Sequence, residues 1–90
     1  MTIMFVRHRV ADYATWRRGY DSAADMQRQG GVIEEGVYSA EGDPNDVLVM
    51  HRFSSSGEAH SFMENPDLRQ AMADAGVDAS SLRVEFYEEA

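Results

Sequence analysis

The chain has no cysteine, and that one absence removes a disulfide framework, a zinc-thiolate site and a thiol nucleophile together. Lysine is missing too: all eight basic residues are arginines, set against 16 acidic ones, and the net charge is −8. A field of that sign repels nucleic acid and anionic lipid, so neither nucleic acid nor a membrane is an expected partner. No apolar run approaches the roughly 20 residues that a membrane helix needs, and the opening Met1 to Arg7 lacks the order of a signal peptide. A complete, cytoplasmic chain is the expectation. Glycine-rich phosphate loops are absent as well, because Gly30 and Gly31 follow a helix rather than a strand.

What remains is the mix of a folded domain, 43% hydrophobic and 27% charged, in 90 residues. That length holds one core, so residues 1–90 are read as a single domain. Residues 2 to 10 alternate, with Met4, Val6, His8 and Val10 on one side and Ile3, Phe5, Arg7 and Arg9 on the other, which predicts a strand. Asp12 offers an N-cap to a helix over about 13 to 29, ended by Gly30-Gly31. Strand-like sequence from Val32 to Ala40 meets turn residues at 41–46 and continues from Val47 to Phe53, which predicts a hairpin. Ser55 with Glu58 opens a second helix, Asn65-Pro66 breaks and restarts it, and Gly76 ends it. A last strand carries Leu82, Val84 and Phe86 on one side.

The order βαββαβ suits a ferredoxin-like α+β sandwich, a four-stranded antiparallel sheet of order 4-1-3-2 with both helices on one face. Its covered face should hold the uncharged set, with His8 and His51 as the ionisable side chains there. The bare face, with Ile3, Phe5, Leu48 and Met50 among Arg7, Arg9, Arg52, Arg83, Glu85 and Tyr87, reads as a homodimer interface with paired charges.

At the first strand-to-helix junction stands Val6-Arg7-His8-Arg9-Val10-Ala11-Asp12-Tyr13-Ala14-Thr15-Trp16, and at the helix break Phe62-Met63-Glu64-Asn65-Pro66-Asp67-Leu68. With this layout the chain resembles the dimeric α/β-barrel superfamily, and within it the small antibiotic-biosynthesis-monooxygenase-like and cyclase-type proteins. The resemblance spans nearly the whole chain and rests on structural punctuation. It implies a homodimer closing into an α/β barrel, with a ligand cavity between sheet and helices in each subunit. The activities it implies are cofactor-free oxygenation of aromatic polyketides, cyclisation, isomerisation or haem degradation. The Tyr and His of the related plant polyketide cyclases fall here on Phe62 and Leu68, so their aldol chemistry does not transfer. The Asn, Trp and His set of haem-degrading members has Asn45, Trp16 and His51 as counterparts by type, with Asn45 in a turn.

His8 and His51 are the catalytic candidates, because imidazole both takes and gives a proton near neutral pH. Matching the midpoints of their strands sets them two to four residues out of register, roughly 7 to 13 Å apart, so they flank a substrate without touching. The competing reading makes each a hydrogen-bonded core histidine. His8 ranks first, since it lies at a strand end beside Trp16, where pockets tend to open. Trp16, Tyr20, Val49, Phe62, Met72 and Phe86 are the expected substrate-binding walls, though rings at helical spacing are more often plain core, and one residue can be both. No metal or organic cofactor is expected, and His60 with Glu64 reads as a solvated pair rather than a ligand set. Glu34-Glu35 reads as strand-edge charge, because adjacent strand residues face opposite sides.

Three functions follow from this constellation. The first is a cofactor-free cyclase or isomerase of secondary metabolism, using histidine as general base on a polyketide-like or aromatic substrate. The second is a cofactor-independent monooxygenase, in which the same base makes a carbanion that reduces O2. The third is a non-catalytic dimer that binds a small apolar molecule or serves in stress.

Overall fold

A computed structural model describes all of residues 1–90. Period-two alternation forms β1 (Thr2–Arg9), in which Thr2, Met4, Val6 and His8 are buried while Arg7 and Arg9 are exposed. β1 lies at the centre of a four-stranded antiparallel sheet with β2 (Glu34–Ala40), β3 (Asp43–Phe53) and β4 (Arg83–Glu88), ordered β2-β3-β1-β4. This is the predicted 4-1-3-2 order. Met4 pairs with His51, Val6 with Val49 and His8 with Val47, so one row of side chains runs under the helices.

The hairpin departs from expectation. β3 begins at Asp43, and the six-residue turn shrinks to Glu41 and Gly42, where Gly42 takes the left-handed conformation at φ 81° and the register slips between Ser39 and Ala40. Turn-forming residues are drawn into the ladder because β1 is there to bond them: the Val10 N–H donates to the Asn45 carbonyl at 2.9 Å. Pro44 lies beyond the last β1 pair, Arg9 with Asp46, where its missing N–H costs that ladder nothing.

The first helix is divided into α1 (Tyr13–Ser22) and α2 (Ala24–Gln29). Side chains at the break take over carbonyls, Ser22 Oγ donating to Gly19 O at 2.8 Å and Gln27 Nε2 to Tyr20 O at 3.3 Å. The second helix breaks where predicted, into α3 (Ser56–Glu64) and α4 (Pro66–Asp74), with Ser55 and Asn65 capping through their side chains. Ala59, Phe62 and Met63 of α3 are fully buried, whereas α4 buries no residue. A side chain at Gly19 would put its Cβ 2.9 Å from that of Ala75, so glycine there lets α1 approach the end of α4.

On the bare face Ile3, Phe5, Leu48 and Met50 are half-buried, and Tyr38 and Tyr87 are exposed. Three of its four arginines find acids within the chain: Arg7 grips Asp46 through two bonds of 3.1 and 2.8 Å, Arg9 reaches Asp43 at 2.9 Å, and Arg52 pairs with Glu89. Such exposed pairs add little stability but neutralise the rim of an apolar patch.

Candidate active site

Between sheet and helices lies a cavity of about 60 Å³. Strand parity supplies its floor: Val6 and His8 from β1, Val49 and His51 from β3. Trp16 and Tyr20, one helical turn apart on α1, form one wall; Phe62 of α3 and Met72 of α4 form the opposite one. Seven of the eight residues singled out from sequence thus meet at one cavity. Phe86 does not. It lies on the covered face opposite Met4, but β4 is the edge strand, and the Phe86 ring stacks on His60 with centroids 3.8 Å apart. His60 and Glu64 are both exposed, as the solvated reading expects, and His60 also covers the Phe86 ring from α3.

His8 and His51 are both fully buried. His51 sits opposite Met4, four residues before His8, so the two stand about 13 Å apart along the sheet, at the upper end of the expected range. Their surroundings differ. His51 Nε2 is 2.9 Å from the Tyr20 hydroxyl, which donates to Glu35 Oε1 at 2.6 Å. Around this chain the ring lies edge-on to Phe62, and Tyr20 stacks on Trp16 with centroids 5.0 Å apart. His8 meets Trp16 edge-on at 5.6 Å. Nδ1 of each histidine is buried with no hydrogen-bond partner.

Burial pushes the His51 pKa down to about 4, with the Glu35 charge acting against it, and burial lowers His8 as well. Burial, and then the Glu35 bond and charge, raise the Tyr20 phenol. At neutral pH the cavity therefore presents neutral imidazoles beside a protonated phenol. A neutral imidazole is the form that accepts a proton.

Glu35 corrects the expectation that the histidines alone bring ionisable groups to the covered face. Its Cα partner is His51, and its parity matches Val37 and Ser39. That parity was present in the sequence, but what the carboxylate reaches depends on where α1 crosses the sheet. Glu34 turns the other way, to Arg52 at 3.8 Å. Gln27, which shares the helical spacing of Trp16 and Tyr20 but is not among the site candidates from sequence, is buried and lines the cavity. Beyond Tyr20 and Gln27, which contribute to both, a wider polar cleft of about 360 Å³ carries Arg17, Asp21, Glu34 and Glu35. Asn45, placed in a turn from sequence, lies in β3, and its Oδ1 accepts from the Tyr13 N–H at 2.9 Å. That bond anchors the start of α1 and takes Asn45 out of any haem-handling set. No three His, Asp or Glu side chains are grouped so as to hold a metal ion, and no helix is long and apolar enough to cross a membrane.

No family model and no curated protein matches the chain. Solved structures do. A protein of Deinococcus radiodurans, provisionally named an antibiotic biosynthesis monooxygenase, superposes with a TM-score of 0.77 at 21% identity over 100% of this chain and 93% of that one. A Bordetella bronchiseptica protein with the same provisional name gives 0.79 at 11% identity, over 99% and 97%. SnoaB of Streptomyces nogalater, a cofactor-independent oxygenase, gives 0.77 at 11% identity, over 99% and 93%. The chain therefore has the α+β fold of the antibiotic-biosynthesis-monooxygenase-like proteins, as the sequence resemblance implied.

Proposed function

We propose that the protein is a cofactor-independent oxygenase acting on a small enolisable aromatic compound, with His51 as the base. The observation that carries this reading is the buried imidazole of His51, held by the Tyr20 hydroxyl in the floor of a mostly apolar cavity. Imidazole takes a proton from an activated methylene, the resulting carbanion gives electrons to O2, and the methylene becomes a carbonyl while the second oxygen atom leaves as water. O2 is the only oxidant required, and the substrate supplies every electron. Sequence alone ranked cyclisation or isomerisation first; likeness in fold to a cofactor-independent oxygenase supports the reverse order. His51 is preferred here to His8 because its ring is held by a polar partner, and a base must be oriented to be effective.

A volume of about 60 Å³ holds a few waters and falls short of the roughly 300 Å³ of a typical ligand pocket. Binding a ring system therefore requires the α4 wall to move outward, and α4 is the helix with no buried residue. The bare face, with Ile3, Phe5, Leu48 and Met50, is proposed to pair with a second copy, giving a single-domain homodimer.

The test is oxygen uptake by metal-free, flavin-free protein on enolisable aromatic ketones of one to three rings. One O2 consumed per carbonyl formed is the expected result. A rearranged or cyclised product formed without oxygen uptake would move the assignment to an isomerase or cyclase; binding without turnover would make the protein a ligand carrier.

A further inference from the structure

The hydroxyl of Tyr20 has one proton and two neighbours, Glu35 Oε1 at 2.6 Å and His51 Nε2 at 2.9 Å. An ionised carboxylate only accepts, so the phenolic proton belongs to Glu35. The Tyr20 oxygen is then left as an acceptor, and Nε2 of His51 must bring the hydrogen for the second bond. A neutral imidazole carries one N–H, so Nδ1 is a bare lone pair. That atom is the one found buried without a partner. In the opposite tautomer, Nδ1 would be a buried donor with nothing to donate to. Nε2 and Glu35 would also compete as acceptors for the single phenolic proton, leaving one short contact without a hydrogen.

We infer that Glu35 is a positioning residue that acts through Tyr20 to hold His51 as the Nε2–H tautomer, leaving Nδ1 as the atom that receives the substrate proton. The inference rests on the reading of His51 as base and adds the atom it uses and the residue that selects it. When Nδ1 takes a proton, the imidazolium keeps its Nε2–H on Tyr20. The Glu35 carboxylate, one hydroxyl further on and at the edge of the polar cleft, compensates the new charge from outside the apolar cavity. Nδ1 is sealed from solvent in this structure, so the substrate can meet it, on the side of the ring away from Tyr20, only once the α4 wall has moved.

Long-range proton–nitrogen correlation spectra of ligand-free, 15N-labelled protein at neutral pH read the tautomer directly. Wild-type His51 should show a protonated Nε2 and an unprotonated Nδ1. In Glu35→Gln the amide can donate to the Tyr20 oxygen, releasing the phenolic proton to Nε2, so the population should shift toward Nδ1–H. In Tyr20→Phe, His51 loses its polar partner and should show both tautomers. A wild-type Nδ1–H pattern, or an Nε2–H pattern that both variants leave unchanged, overturns the role of Glu35 whether or not oxygen uptake is seen. Tautomer control as described, in a protein that consumes no oxygen with any ketone, would instead reject the oxygenase and leave the positioning intact.

Discussion

The two faces of the sheet are each incomplete, in opposite ways. Under the helices apolar packing is dense around Met4, Val47 and Phe53, all fully buried, and what is missing is polar: two imidazole nitrogens have no partner. On the bare face the charges are largely answered, Arg7 by Asp46 and Arg9 by Asp43, and what is missing is apolar cover for Ile3, Phe5, Leu48 and Met50. A buried lone pair is completed by something that donates a proton, and an uncovered apolar patch by another surface. Under the proposed function, one sheet would separate the work of a small molecule from that of a protein partner.

The strongest way to break this division is to disable the covered face. General-base catalysis is worth about 10² to 10⁴-fold, so His51→Ala should lower oxygen uptake by that order, while His8→Ala should cost less than tenfold. Steady-state rates that fall in the reverse order would return the base to His8, where the sequence ranking put it.

Disabling the bare face should leave chemistry within each protomer intact and act on association. Met50→Arg sets an unpaired charge in the proposed interface and should weaken the dimer at least tenfold, about 1.4 kcal/mol. Light scattering across micromolar concentrations should find the wild type at twice the chain mass and the variant shifted toward one. A wild type that is strictly monomeric there removes the pairing altogether.

A third expectation concerns pH and again singles out the covered face. Unfolded histidine titrates near 6.5 and folded His51 at about 4. As pH falls from about 6.5 toward 4 the unfolded chain binds a proton that the folded one refuses, so stability declines through that window. The slope from this group is at most about 1.4 kcal/mol per pH unit. Burial of His8 acts in the same direction. Urea unfolding at several pH values should show the decline, and His51→Gln should flatten it; an unchanged slope would mean that His51 is not buried neutral.

The sheet order and the helix break were readable from sequence because each rests on local chemistry. Alternation sets the faces of β1, Ser55 and Asn65 cap their helices, and Asn65-Pro66 both stops one helix and starts the next. The Glu35–Tyr20–His51 chain was not readable in the same way. Its members come from β2, α1 and β3, and whether a carboxylate meets a phenol depends on hairpin register and on the height at which α1 crosses the sheet. Phe86 failed for a related reason: parity gave its face correctly, but parity says nothing of lateral position, and β4 lies at the edge. The break at Ala23 depends on Ser22 and Gln27 side chains competing for carbonyls, a contest that helical spacing does not reveal.

The absence of any buried residue in α4 bears on affinity as well as access. A helix that meets the core only through half-buried side chains such as Leu68 and Met72 should open at a free energy below that of global unfolding, so its amides should exchange among the first of the helical ones. If only the opened form admits a ring system, the apparent dissociation constant is the intrinsic one divided by the open fraction. Changes that bind α4 more tightly to the core would then weaken ligand binding as they stabilise the protein. On that reading the α4 wall would weigh on the strength of binding before any contact with the ligand is made.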